Sequence, residues 1–134
     1  SFLESIDVLL MGRKTYEQIL TFGDWPYPSK PCWVFSQKKR KSIHSKVSIT
    51  NLPPEALLEN LVKEGLTQSW LVGGANLIHY FRQKNLIDEY ILSIMPLLLG
   101  SGVPLFRDQK FESKLQTTRI KDYPNGVVQI HYRK

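Results

Sequence analysis

The stretch that decides the fold runs from Asp7 to Thr15 and reads Asp7-Val8-Leu9-Leu10-Met11-Gly12-Arg13-Lys14-Thr15. Its apolar residues are consecutive and end at Gly12, which is typical of a short strand buried on both faces of a sheet. The next segment, Arg13–Leu20, is predicted to be a helix because Tyr16, Ile19 and Leu20 recur at helical spacing. A strand that runs directly into a helix indicates an α/β unit.

The alternation of strands and helices continues along the chain. Helices are predicted to start at Pro53-Pro54, ending near Gly65, and again after Gly73-Gly74. The further strands are predicted at Cys32–Ser36, Val47–Thr50, Trp70–Val72, Glu89–Met95, Lys114–Tyr123 and Val127–Arg133. The last two flank Asn125-Gly126, a strong hairpin signal. The pattern predicts an α/β fold whose mostly parallel sheet has helices on both faces and gains an antiparallel edge from the C-terminal hairpin.

Composition limits the function classes. The chain has 134 residues and a net charge of +6, which suits one domain with a preference for anionic ligands. Its apolar runs are too short for a membrane-spanning helix and its start does not resemble a signal peptide, so a cytoplasmic location is expected. Much of the excess charge lies in Lys38–Lys41. We interpret this run mainly as a solvated loop and next as a region that steers phosphorylated ligands, so nucleic acid is a weak third option.

The first candidate binding segment is the turn Met11–Thr15. A helix N-terminus presents backbone N–H groups and a partial positive charge, which suits a phosphate group. Arg13 and Lys14 add two cations at that end, where cations oppose the helix dipole, and Thr15 adds a hydroxyl. Residues that work against local stability are expected where function requires them. The turn therefore predicts an anion-binding site at Gly12, Arg13, Lys14 and Thr15.

The second turn is Leu71-Val72-Gly73-Gly74-Ala75-Asn76. Two glycines at the end of a strand permit unusual backbone angles and close approach of a ligand. Open α/β sheets bind ligands at this end of their strands. The pair alone fits a plain tight turn equally well, and the full glycine fingerprint of the Rossmann fold is absent.

Other candidate residues have simpler interpretations. His44, His79 and His131 lack the spacing of metal ligands, so no metal site is predicted. Cys32 lies in an apolar strand and is interpreted as a core residue. Asp88 and Glu89 are adjacent on a predicted strand and should point to opposite faces, which favours structural pairing over joint catalysis. The loop Thr21–Pro31 is either part of a ring-stacking substrate wall or a surface loop anchored by its aromatic residues, Phe22, Trp25 and Tyr27.

Taken in order, several segments resemble the dihydrofolate reductase-like family, and within it the reductase domain of the bifunctional riboflavin-biosynthesis deaminase–reductase. They cover most of the chain, and their ordered occurrence carries the resemblance. The segments are Val8–Glu17, Trp33–Ser36, Leu71–Ala75, Leu86–Glu89, Pro96–Gly102 and Pro104–Phe106. The resemblance implies that family's three-layer sandwich fold.

The resemblance also implies NADPH as the cofactor, bound across the strand ends. Arg13, Lys14 and Thr15 would contact its phosphates, and Ser36, Gln37 and Lys38 would lie by the adenosine and its 2′-phosphate. The family's glycine pair, often joined by a cis peptide, would be Gly73-Gly74 within Val72–Asn76. Asn76 stands where dihydrofolate reductases commonly place an arginine, so the choice between NADPH and NADH stays open.

The implied activity is hydride transfer to a pterin-like or ribosylaminopyrimidine-like substrate, with the riboflavin-precursor type favoured and no catalytic acid identified. The alternative is a non-catalytic dinucleotide-binding module that acts as a sensor or an assembly partner. The resemblance further implies a homodimer. It also implies that the family's first strand and active-site loop precede Ser1, so the 134 residues are expected to be one domain that is incomplete at its N-terminus.

Overall fold

The computed structural model describes residues 2–38, 44–106 and 112–134. The chain forms two compact units, Ser1–Ile78 and His79–Lys134, and each is described by itself. The part of the basic run beyond Lys38, together with residues 107–111, lies outside the described residues.

The first unit contains a four-stranded parallel sheet in the order β3-β2-β1-β4. Its helix α2 and strand β3 cover the predicted residues, and the other predicted elements differ from the observed ones by one or two residues at their ends. The elements are α1 (Phe2–Ser5), β1 (Val8–Gly12), α2 (Arg13–Leu20), β2 (Cys32–Phe35), β3 (Val47–Thr50), α3 (Pro54–Lys63), β4 (Ser69–Gly73) and the start of α4 (Ala75–Gln83).

Strand β1 is the centre of this sheet because it pairs with both β2 and β4. Val8 and Leu10 alternate with Leu9 and Met11, so the two pairs point to opposite faces, and all four side chains are buried. Burial of each such side chain contributes about 1.5–3 kcal/mol. Both faces of β1 are therefore covered, as the uninterrupted apolar run predicted.

The aromatic loop between α2 and β2 is anchored in the core. Trp25 is 8% exposed, and its indole Nε1 donates a hydrogen bond of 3.1 Å to the carbonyl of Tyr27. Its ring packs edge-to-face on Tyr16 and Tyr27 and is stacked with His44. Phe22 is exposed. The packing matches the anchored-loop interpretation, because Trp25 and Tyr27 pack against aromatic residues of other segments.

The second unit contains a three-stranded antiparallel sheet of β5 (Glu89–Ile94), β6 (Gln116–Asp122) and β7 (Val128–Arg133). The hairpin is formed as predicted, with Gly126 at φ +91° in its turn. The mostly parallel sheet and the antiparallel C-terminal hairpin are confirmed, and among the described residues the hairpin pairs with β5 rather than with a strand of the parallel sheet. Strand β5 pairs with β7 over six residues from Glu89–Arg133 to Ile94–Val128, so the hairpin completes an antiparallel sheet with β5.

The acidic pair at the start of β5 has structural partners. Glu89 Oε1 accepts a hydrogen bond of 2.9 Å from Arg133 Nη2, and Asp88 Oδ1 lies 3.6 Å from Lys134 Nζ. The structural interpretation of the pair is confirmed, because each carboxylate ties β5 to the end of β7. In the described ranges, no helix has the length and apolar character needed to cross a bilayer.

Candidate functional site

The two glycine-marked turns lie side by side at the carboxyl edge of the parallel sheet. Strands β1 and β4 are parallel neighbours, with Met11 in register with Gly73. A methyl group placed on Gly12 would lie 3.7 Å from both the carbonyl oxygen of Gly73 and the amide nitrogen of Gly74. The sheet thus joins two segments that are about 60 residues apart in sequence into one surface.

The glycine pair has the geometry that the resemblance implied. The peptide bond between Gly73 and Gly74 is cis, and Gly73 has φ +136°, a conformation that residues with a side chain rarely adopt. Among the described residues, no atom lies within 4 Å of a methyl group placed on Gly73. A methyl group on Gly74 would lie 3.2 Å from Thr15 Oγ1. The main chain therefore passes an open space at Gly73 and touches the first turn at Gly74.

The start of α2 carries two cations, Arg13 and Lys14. Gly12 occupies the N-cap position and offers no side-chain cap, and the first turn contains no acidic residue. Lys14 is exposed. The Arg13 guanidinium is directed along the helix to Glu17, with Nη1 3.3 Å from Oε1. The helix end can bind an anion through its backbone N–H groups and Lys14.

Ser36 follows β2 at the same edge, because Phe35 is in register with Gly12. It is 7% exposed, and its hydroxyl donates to the carbonyl of Lys38 at 3.0 Å and accepts from the Lys38 N–H at 3.3 Å. These bonds fold residues 36–38 into a tight turn. Gln37 and Lys38 are exposed on that turn, so Ser36 shapes the segment while the side chains of its neighbours are accessible.

The remaining predicted residues surround the glycine pair. Val72 packs against the core, and Ala75 starts α4, whose first turn is closed by the Ile78 N–H donating to the Gly74 carbonyl at 3.0 Å. Asn76 is exposed in that turn. All the predicted site residues lie in the first unit and are described, and they follow β1, β2 and β4 at one edge.

Two residues at this edge were not predicted. Thr50 ends β3, and its carbonyl accepts the Ser36 N–H at 2.9 Å. Its position could have been inferred from the predicted strand, since the carboxyl ends of parallel strands share an edge. Glu17 pairs with Arg13, and the i,i+4 spacing of opposite charges was the signal for it.

The described residues offer no metal site, and the Cys32 thiol is not a reactive group. Within residues 2–38, 44–106 and 112–134, no group of three His, Cys, Asp or Glu side chains could hold a metal ion. Cys32 is fully buried, and desolvation raises the pKa of its thiol from 9.0 to about 12. The thiol stays protonated at neutral pH and acts as a core residue, as predicted.

Comparison with known proteins decides the family. Residues 25–129 match the model of the RibD C-terminal domain. The chain belongs to the RibD C-terminal domain family. This is the reductase-type domain of riboflavin-biosynthesis proteins, so the resemblance drawn from the ordered segments is confirmed. The chain is also 33% identical to the "Uncharacterized protein YwjB" of Bacillus subtilis over 98% of its own length and 75% of that protein's.

Solved structures agree with membership of the RibD C-terminal domain family. The chain superposes with a TM-score of 0.88 and 30% identity on a "Putative riboflavin biosynthesis protein" of Shewanella sp. PV-4, over 98% of this chain and 75% of that one. A deaminase/5-amino-6-(5-phosphoribosylamino)uracil reductase of Thermotoga maritima gives a TM-score of 0.72 at 13% identity, over 98% of this chain and 46% of that one. The second likeness supports the fold alone.

Proposed function

We propose that the chain is an NADPH-dependent reductase that binds the dinucleotide at the carboxyl edge of β1, β2 and β4. One observation carries the proposal: the two glycine-marked turns are adjacent, with Gly12 close to Gly73-Gly74. Membership of a reductase-type family supports the reaction class. The backbone geometry explains why the second turn needs glycine, since Gly73 adopts φ +136°.

The residues present fit a dinucleotide. Its pyrophosphate requires backbone N–H donors and cations, which the start of α2 and Lys14 supply. The dinucleotide also requires space where it crosses the sheet edge, and a side chain at Gly73 would fill such a space. Gln37 and Lys38 would hold the adenosine and its 2′-phosphate, for which an exposed lysine is a suitable partner.

The chemistry divides between cofactor and chain. NADPH supplies the hydride when it is bound. The chain's residues bind the phosphates, hold the cofactor against the glycine pair and exclude water with the buried strands behind it. The proposed substrate is a ribosylaminopyrimidine-like riboflavin precursor in preference to a pterin. Support comes from the Pro96–Phe106 segment and from the name of the 30% identical Shewanella structure, a riboflavin biosynthesis protein. A cytoplasmic location belongs to the same proposal.

Titration of the purified chain with NADPH, followed by tryptophan or cofactor fluorescence, tests the binding step. The proposal expects saturable binding that Lys14→Ala weakens about tenfold, since one hydrogen bond to a charged group contributes about 1.5–3 kcal/mol. The matched control is Lys63→Ala, an exposed lysine on α3 outside the site, which should leave the dissociation constant unchanged.

Oxidation of NADPH across a panel of ribosylaminopyrimidines and pterins tests the reaction. Consumption with a ribosylaminopyrimidine supports the proposed class. Saturable binding without oxidation of NADPH by any substrate favours the alternative, a dinucleotide-binding module. Absence of binding at millimolar NADPH contradicts both functions.

A further inference from the structure

The Arg13 side chain is held by an acidic neighbour on its own helix. Its Nη1 donates to both carboxylate oxygens of Glu17, at 3.3 and 3.4 Å. The two side chains are 37% and 42% exposed, so water screens the pair only in part. Arg13 is one of the two cations proposed to meet the phosphates, and in this structure its charge is directed to a carboxylate.

Helix stability does not explain this arrangement. An acid is favourable near a helix N-terminus and a base near the C-terminus, and the pair has the reverse order. An i,i+4 pair is also stronger when the acid precedes the base. A helix that was optimised for stability would exchange the two residues. The cation at position 13 is therefore explained by something other than helix stability.

The direction of the side chain indicates the role of this cation. The contact with Glu17 directs the guanidinium toward the C-terminus of α2, because Glu17 lies about one helical turn further along the helix. The backbone N–H groups that would bind a phosphate are at the opposite end. A carboxylate and a phosphate offer a guanidinium the same kind of partner, namely two anionic oxygens. Glu17 thus occupies Arg13 in the way that a phosphate would.

We propose that Glu17 is an internal competitor of the phosphate group: it holds Arg13 in the free protein and releases it when a dinucleotide binds. This inference rests on the proposed function and adds a device that sets its affinity. The exchange replaces one ion pair by another, so the cofactor gains less from Arg13 than an unpaired arginine would give. Glu17 therefore lowers the affinity of the site and favours release of the spent cofactor.

The test compares Glu17→Gln with the unchanged chain, using NADPH and inorganic pyrophosphate as separate ligands. Because exposed i,i+4 pairs are weak, the expected gain in affinity is about two- to threefold for both ligands at low salt. It should shrink as salt screens the pair. In an Arg13→Ala background the same substitution should give no gain, since there is no arginine to release. The control is Glu59→Gln, an exposed glutamate on α3, which should change neither affinity.

The two ligands separate this inference from the proposed function. If the Glu17→Gln variant binds NADPH and pyrophosphate with the same affinity as the unchanged chain, the inference is overturned. The proposed function then still stands. Tighter pyrophosphate binding without any binding of NADPH supports the competitor role and contradicts the proposed function. If Glu17→Gln still raises the ligand affinity in the Arg13→Ala background, Glu17 does not compete with the phosphate for Arg13. Absence of binding of either ligand overturns both.

Discussion

Gly73 combines a backbone angle and an open space that together make it the most informative residue of the site. Its φ of +136° is unfavourable for any residue with a side chain, and a methyl group there would enter the space proposed for the cofactor. Gly65, after α3, offers the matched comparison because it also has positive φ, +82°, with no described atom within 4 Å of a methyl group placed on it. The two positions differ in that Gly73 is buried at the carboxyl edge of the sheet, whereas Gly65 is exposed after α3.

We expect Gly73→Ala and Gly65→Ala each to lower the free energy of unfolding by about 1–3 kcal/mol, the usual cost of such backbone strain. Only Gly73→Ala should also weaken NADPH binding, by tenfold or more, because the added methyl group and the shifted main chain block the ligand. Denaturant unfolding and fluorescence titration measure the two effects. Equal NADPH affinity in both variants would contradict the placement of the cofactor.

Tyr16 presents a different feature at the residue scale. The side chain is 6% exposed in the core beside Trp25, and in the described part of the chain its hydroxyl has no hydrogen-bond partner. A buried polar group without a partner costs about 1–3 kcal/mol. We expect Tyr16→Phe to raise the free energy of unfolding by about 1 kcal/mol, measured by urea denaturation. A decrease would show that the hydroxyl has a partner in solution.

At the scale of elements, α2 carries its charges in an order that opposes the helix dipole, which agrees with the proposed binding of a phosphate. The double substitution Arg13→Glu with Glu17→Arg keeps the composition and the spacing while it reverses both charges. We expect the free energy of unfolding to rise by about 0.5–1 kcal/mol, since each charge then complements the dipole. NADPH binding should weaken because a carboxylate stands at the phosphate site. Thermal unfolding and titration measure the two effects, and lower stability or unchanged binding would contradict this view of α2.

The elements also show what the sequence could predict. Strand β1 and helix α2 were predicted almost to the residue, because a continuous apolar run, a glycine and a helical period are local signals. The hairpin was predicted for the same reason. Strand β5 was also predicted, but its pairing with the hairpin was not, because the pairing of Glu89–Ile94 with Val128–Arg133 joins segments about 40 residues apart and leaves no local signal.

The candidate site likewise contains features that local sequence predicted and features that it did not. The residues after β1 and β4 were predicted from glycine and charge, and the resemblance implied Ser36–Lys38. The pairing of Arg13 with Glu17 could have been suspected from spacing, but its geometry depends on rotamers that sequence does not specify. The inward packing of Trp25 and Tyr27 depends on neighbours distant in sequence, such as His44 and Trp70.

At the scale of the whole molecule, the homodimer implied by the resemblance stays a prediction. The second unit exposes apolar side chains between β5 and β6, with Leu98 fully exposed and Val103 90% exposed. Large apolar side chains exposed in one segment are a feature of contact sites when they form a patch. Light scattering at tens of micromolar should give about twice the 15.5 kDa chain mass. A monomer mass at that concentration would contradict the prediction.

The central claim is that one dinucleotide lies against both glycine-marked turns, and the most direct measurement is residue-resolved. In a two-dimensional amide NMR titration with NADPH, the account predicts saturable shifts that are largest in Gly12–Thr15 and Gly73–Asn76. Asp88 and Glu89, which pair with the end of β7, should remain unchanged. Saturable shifts confined to the antiparallel sheet of the second unit, or no saturable shift in either turn, would contradict the claim.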